Sequence, residues 1–111
     1  MSQVRQFKAN ILQALAHPTR LQILEALREG ELSVSAILNR VGLDQANVSQ
    51  HLAKLRLRGL VTNRKEGNQV FYSVRDPILF EVLDLLRRFA TAHLDEHVEL
   101  LAKFKAEETT S

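Results

Sequence analysis

Two amphipathic helical stripes separated by only Gly42 and Leu43 constrain this chain more than any other feature. The first opens near Ser33, places Val34, Ile37, Leu38 and Val41 at helical spacing, and stops at Gly42, which suits a left-handed helix terminator. The second begins at Asp44, whose carboxylate can accept the N–H groups of Ala46 or Asn47 as an N-cap. So short a glycine-containing join makes a helix-turn-helix, expected over residues 33–58 and closed by Gly59.

The second of these helices has two chemically distinct sides. Val48, Leu52 and Leu55 fall on one face by 3.6-residue spacing and belong to a core. Ala46, Asn47, Ser49, Gln50, Ala53 and Lys54 then face away. A rigid helix offering amides, hydroxyls and a cation has the shape and chemistry for a DNA major groove. Asn47, Ser49, Gln50 and Lys54 are the expected groove contacts, with Gln45 and Ala46 at the helix start near a phosphate or a thymine methyl. His51, at the edge of the buried stripe, is expected in a structural or phosphate-facing role.

Residues 60–75 change character. Leu60-Val61-Thr62 and Val70-Phe71-Tyr72-Ser73-Val74 are rich in β-formers, and Glu66-Gly67-Asn68 supplies a turn between them. The expected hairpin would be a wing, with Arg56, Arg64, Lys65, Asn68 and Gln69 on the DNA backbone or in the minor groove. Tyr72 is expected in the core or at an interface. The net charge of +2 hides a division that fits this placement. Residues 40–75 hold seven Lys/Arg against Asp44 and Glu66, a net of +5; residues 91–111 hold two Lys against five acids, a net of −3. Phosphate neutralisation needs such a concentration of positive charge and supplies affinity without sequence information.

The flanks suggest how the unit is completed. Val4, Phe7, Ile11, Leu12 and Leu15 stripe a first helix. Pro18 suits the first turn of a second, which is expected to bury Leu21, Leu24 and Leu27, with Ile23 at the side, and to end near Gly30. Asp76-Pro77 opens a final helix running to about Phe104, with Glu107 to Ser111 frayed. That helix is apolar on more than one face, so it needs a partner besides its own domain. A homodimer through residues 1–16 and 76–105 is expected, with Val4, Phe7, Ile11, Leu83, Leu86, Phe89, Ala90 and Leu94 at the interface. Pairing would set two recognition helices about one DNA turn, roughly 34–36 Å, apart. The architecture expected for all 111 residues is one mainly α winged domain, four helices, a β-hairpin and a fifth helix.

Several functions are excluded or weakened. There is no cysteine, hence no disulfide, thiol redox sensor or thiolate site. Ser49 has no His–Asp partner at a motif spacing, and the glycines are isolated rather than gathered in a phosphate loop, so no enzyme and no cofactor is implied. No apolar run approaches the ~20 residues of a membrane span, no signal-peptide pattern opens the chain, and it reads as cytoplasmic.

Leu15-Ala16-His17-Pro18-Thr19-Arg20-Leu21-Gln22-Ile23-Leu24 resembles the opening signature of the ArsR/SmtB family of bacterial repressors. Glu31-Leu32-Ser33-Val34-Ser35, Val48-Ser49-Gln50-His51-Leu52, Leu55-Arg56, Gly59-Leu60-Val61 and the wing with Phe71-Tyr72 continue the likeness over nearly the whole chain. The resemblance implies a dimeric winged helix that represses transcription by occupying a double-stranded DNA operator. It also exposes departures. Metal-sensing members carry two cysteines where Ser33 and Ser35 stand, and neutral hydroxyls are poor ligands for the soft metals those cysteines take. Other members use an Asp-x-His pair and a later His on the last helix; Asp76 matches, but Ile78 and Phe89 occupy the histidine positions.

His93 and His97, spaced i, i+4 beside Asp95 and Glu96, are weak metal candidates; partly exposed interface histidines are the favoured reading. Arg20 stands beside the DNA face, where it would meet a phosphate or an internal acid. Two alternatives accompany the repressor reading: a winged-helix protein-interaction module, and a metal sensor using His93 and His97. No residue pattern designates an effector.

Overall fold

The computed structural model describes residues 2–110, with side chains through Glu108. These form helices α1 (Ser2–Leu15), α2 (Pro18–Ala26), α3 (Val34–Val41), α4 (Gln45–Leu57) and α5 (Ile78–Thr110), and strands β1 (Leu32–Ser33), β2 (Val61–Glu66) and β3 (Gln69–Val74). A single 3-10 turn, Leu27–Glu29, ends α2 before Gly30. The chain divides into two compact units, one ending at Leu79 and the other beginning at Phe80.

In the first unit, α3 stops because Gly42 takes φ +74°, and its N–H returns to the Leu38 carbonyl. α4 starts because Asp44 Oδ1 accepts the Asn47 N–H at 2.8 Å. The underside of α4 is anchored as its periodicity requires: Val48 and Leu55 are fully buried and Leu52 is 1% exposed. They join Ile23, Leu24, Leu27, Ile37 and Val61 in an aliphatic core. In α2 the expectation for Leu21 and Ile23 is reversed: Ile23 is fully buried and Leu21 only half-buried. A nine-residue helix packed on more than one side does not reveal its inner face by spacing alone.

The sheet corrects the expected two-stranded hairpin. It has three antiparallel strands in the order β1-β3-β2. Leu32 and Ser33, not anticipated as a strand, pair with Tyr72 and Phe71. The β2–β3 ladder runs from Val61–Val74 to Glu66–Gln69, longer than the β-forming residues suggested. Ser33 also caps α3, its Oγ accepting the Ala36 N–H at 3.1 Å.

The second unit is the greater part of α5. Asp76 Oδ1 accepts the Ile78 N–H at 3.0 Å and starts the helix, one residue later than Pro77 was expected to. The helix then continues to Thr110, through residues 107–110 expected to fray. Ala106, Glu107 and Glu108 are good helix formers with no Gly or Pro among them. Every described side chain from Asp84 to Glu108 is exposed, including Leu85, Leu86, Phe89, Leu94, Val98, Leu101 and Phe104. Among the described residues, no helix is long and apolar enough to cross a membrane.

Candidate nucleic-acid interface

The exposed side of α4 carries Gln45, Ala46, Asn47, Ser49, Gln50, Ala53, Lys54 and Arg56. All of these except Ala53, which the sequence placed only on the outward face, were expected at DNA. The wing reaches the same region. Gln45 and Ser49 of α4 share one cleft with Asn68, Gln69 and Tyr72 of the wing and with Ser33 and Ser35. Uncharged hydroxyl and amide groups therefore line the space between recognition helix and wing. Asn47 is partly committed, because its Nδ2–H donates to Asp44 Oδ2 at 3.1 Å and leaves Oδ1 as the free end.

Arg64, expected on the DNA backbone, is engaged by two carboxylates of its own chain. Its Nε and Nη2 donate to the two carboxylate oxygens of Glu31 at 2.8 and 2.6 Å, and Nη1 donates to Glu66 Oε2 at 2.6 Å. Its guanidinium carbon also lies 4.6 Å from the centre of the Phe71 ring. The hydrogen bond from Arg64 holds the Glu31 carboxyl below its ordinary value, while Glu31 and then Glu66 raise the pKa of Arg64. Two carboxylates thus neutralise a charge assigned to phosphate, and Arg64 fastens the wing to the segment before β1. Glu31 lies 33 positions away in sequence, so no local signal could have revealed the pairing. Lys65, at the exposed wing tip, has no such partner among the bonds seen. Arg75, which the residue patterns did not single out, shares a shallow concavity with Arg56, Gly59 and Asn63. A Cβ on Gly59, whose φ is +72°, would sit 3.2 Å from the Arg75 guanidinium. The small residue there lets Arg75 lie close to the end of α4.

His51, expected in a structural or phosphate-facing role, takes a structural one in this chain. Its Nδ1 accepts the Arg20 Nε–H at 3.2 Å, and its ring centre lies 4.3 Å from that of His17. It therefore sits in the seam between α2 and α4. Arg20, half-buried, donates its second arm to the Ala14 carbonyl at 3.1 Å. Burial, then the neighbouring His17, Arg20 and Lys54, pushes the His51 pKa below its ordinary value.

On α5, His93 Nδ1 lies 3.6 Å from Glu96 Oε2, and its ring packs on Phe89 at 4.2 Å. Among the described residues no group of three or more His, Asp or Glu could hold a metal ion. Of the expected interface residues, Val4, Phe7, Leu86, Phe89, Ala90 and Leu94 are exposed, Ile11 is half-buried, and Leu83 is buried within the single chain.

The family model for bacterial regulatory proteins of the arsR family matches residues 17–63, from the α2 cap through the helix-turn-helix into β2. The HTH-type transcriptional regulator Rv0081 of Mycobacterium tuberculosis is 39% identical over 100 residues, covering 89% of this chain and 88% of that protein. The chain belongs to the ArsR family. The crystal structure of Rv0081 superposes on this ArsR-family chain with a TM-score of 0.77, covering 86% of this chain and 96% of that one. The transcriptional activator HlyU of Vibrio cholerae is 45% identical over 78 residues, 70% of this chain and 72% of its own. The homodimeric winged helix-turn-helix DNA-binding domain of Mb0332 from Mycobacterium bovis matches with a TM-score of 0.76 at 32% identity, covering 86% of this chain and 88% of that one. This ArsR-family protein is a winged helix-turn-helix transcriptional regulator, and its serines at 33 and 35 leave it without the cysteine pair of some metal sensors.

Proposed function

We propose that this regulator works in the bacterial cytoplasm as a homodimer that occupies a double-stranded operator and represses transcription by excluding the polymerase. The observation that supports it is the cleft in which Gln45 and Ser49 of α4 meet Asn68 and Gln69 of the wing, beside a segment of net charge +5. Asn47, Ser49, Gln50 and Lys54 read base edges; Gln45 and Ala46 approach a phosphate or a thymine methyl. Lys65, Arg56 and Arg75 neutralise phosphates, and Asn68 and Gln69 follow the backbone beside the wing. The homodimeric assembly of the Mb0332 domain and the exposed apolar length of α5 support pairing of two copies. No feature favours a protein-interaction module without DNA contact.

The test begins with selection of a preferred duplex from a random pool and genome-wide capture of bound DNA. A reporter carrying the selected duplex then reads the sign of regulation: repression is expected, and activation, the role named for HlyU, would overturn that part. Failure to enrich any duplex at low ionic strength would sink the proposal as a whole. The division of roles predicts three distinct outcomes. Gln50→Ala lowers the ratio of affinity for the selected duplex to that for random DNA. Lys65→Ala weakens both alike and reduces the salt slope by roughly one. Arg64→Ala changes that slope less than Lys65→Ala does, because the Arg64 guanidinium is occupied by Glu31 and Glu66 rather than by a phosphate. A salt slope lowered equally by Arg64→Ala and Lys65→Ala would contradict the wing described above.

A further inference from the structure

The recognition helix is fixed from beneath by leucines and valine, which resist lifting but say little about rotation about its own axis. One polar tie crosses the seam. Arg20 of α2 spans two elements, donating through Nη1 to the Ala14 carbonyl at the end of α1 and through Nε to His51 Nδ1 on α4. The guanidinium is planar and its donors are rigidly forked, so anchoring one arm fixes where the other points. His51 lies one turn from Val48 and next to Gln50, and so ties the face that presents Ser49 and Gln50.

The bond has a strict chemical requirement. Arg20 can only donate, so His51 Nδ1 must lack a proton, which makes the ring the neutral Nε2–H tautomer. Its neighbour His17 is held in the same tautomer, since its Nδ1 accepts the Thr19 N–H at 3.2 Å as the cap of α2. The groups acting on His51 are His17 and Arg20 from the α2 side and Lys54 from its own helix, and α1 contributes the Ala14 carbonyl, with the uncharged Asn10 and Gln13 nearby. None of these is a carboxylate. A proton on His51 would remove the acceptor, oppose two N–H groups, and add charge among cations.

We infer that Arg20 is the positioning residue of the recognition helix, acting through neutral His51, and that protonation of His51 undoes this positioning. The inference rests on α4 being the DNA-reading helix. It sets apart two parts of DNA affinity. Sequence-selective binding depends on the pose of α4 and falls with acid; phosphate attraction depends on net charge and does not fall. The linkage has the same sign. A histidine whose folded pKa is depressed leaves full stability above its ordinary value, near pH 6.5, and stability is lost as pH falls below that value.

The experiment measures affinity for a duplex selected at pH 7.5 and for a random duplex, at pH 7.5 and 5.8. For the natural sequence, selected-duplex affinity is expected to fall between pH 7.5 and 5.8, and further as the pH is lowered toward about 5, while random-duplex affinity holds or rises. His51→Gln keeps an acceptor for Arg20 that does not titrate, so it should retain the pH 7.5 affinity and lose the pH dependence. Arg20→Ala should bind the selected duplex at pH 7.5 more weakly than the natural protein does, and its selectivity should no longer fall with acid. Equal affinity at both pH values, or an unaltered pH profile in His51→Gln, overturns the inference. A DNA-free readout separates this from failure of the DNA-binding proposal. Amide resonances of Val48–Leu52 should shift as the His51 ring titrates in the natural protein and remain fixed through that range in His51→Gln. Amides indifferent to the titration, or shifting alike in both proteins, reject the inference whether or not any duplex binds.

Discussion

Leu52→Ala is expected to cost the folded protein about 2–5 kcal/mol, the range for deleting a buried leucine that leaves a cavity behind. Leu52 is 1% exposed, with the fully buried Val48 and Leu55 before and after it on the underside of α4. The core has few large aromatics to fill such a gap; among its buried hydrophobic side chains are Ile23, Leu24, Leu27, Ile37 and Val61, all aliphatic. For a domain of this size the melting temperature should drop by roughly 10 °C or more. Ser49→Ala, on the outward face, should change stability by no more than about 0.5 kcal/mol, yet impair duplex selection. Urea denaturation of the two variants side by side gives the contrast. A loss below about 1 kcal/mol in Leu52→Ala would mean that α4 is not seated as described.

The second large effect concerns pairing of two copies. Phe89→Asp is expected to convert a dimer into a monomer and to lower operator affinity by about 10²–10⁴-fold, the range by which linked binding sites exceed single ones. Phe89 is 66% exposed in the single chain, with Leu86 at 44% and Leu94 at 63% on the same helix. Such a run of exposed apolar side chains on a helix needs cover, and a charge placed within it is desolvated without a partner. Asp95→Asn, away from that run, serves as the control and should leave the assembly intact. Sedimentation reads the mass and a gel shift reads the affinity. A Phe89→Asp protein that stayed dimeric with unchanged affinity would remove α5 from the interface.

The local elements were legible because local chemistry specifies them. Asp44 caps, Gly42 turns left-handed, and Val48, Leu52 and Leu55 repeat at helical spacing; the structure has each where the sequence implied. The wing was found but shortened, because its ladder is made of backbone groups and continues through polar Asn63, Arg64, Lys65 and Glu66. A two-residue strand such as Leu32–Ser33 has no periodicity to read and exists only because β3 lies beside it. The side-chain pairings at the site were less legible. Charge and position on a face mark Arg64 and His51 only as outward residues, whereas Glu31 and Arg20, which engage them, lie 33 and 31 positions away; for Arg64 the local sign was Glu66, two positions on. Long-range pairing of side chains redirects a residue while leaving little mark in its neighbourhood.

Ser33 pairs with Phe71 in the sheet and also caps α3, so the start of the helix-turn-helix and the middle of the wing share one residue. The hairpin therefore cannot swing as a free flap. Its distance from α4 is set before any duplex arrives, in the manner of a caliper locked at one opening. Such a stiff gauge favours stretches of DNA whose groove width already suits it, or whose base steps yield cheaply. Part of the preferred sequence should then lie at base pairs that no side chain touches.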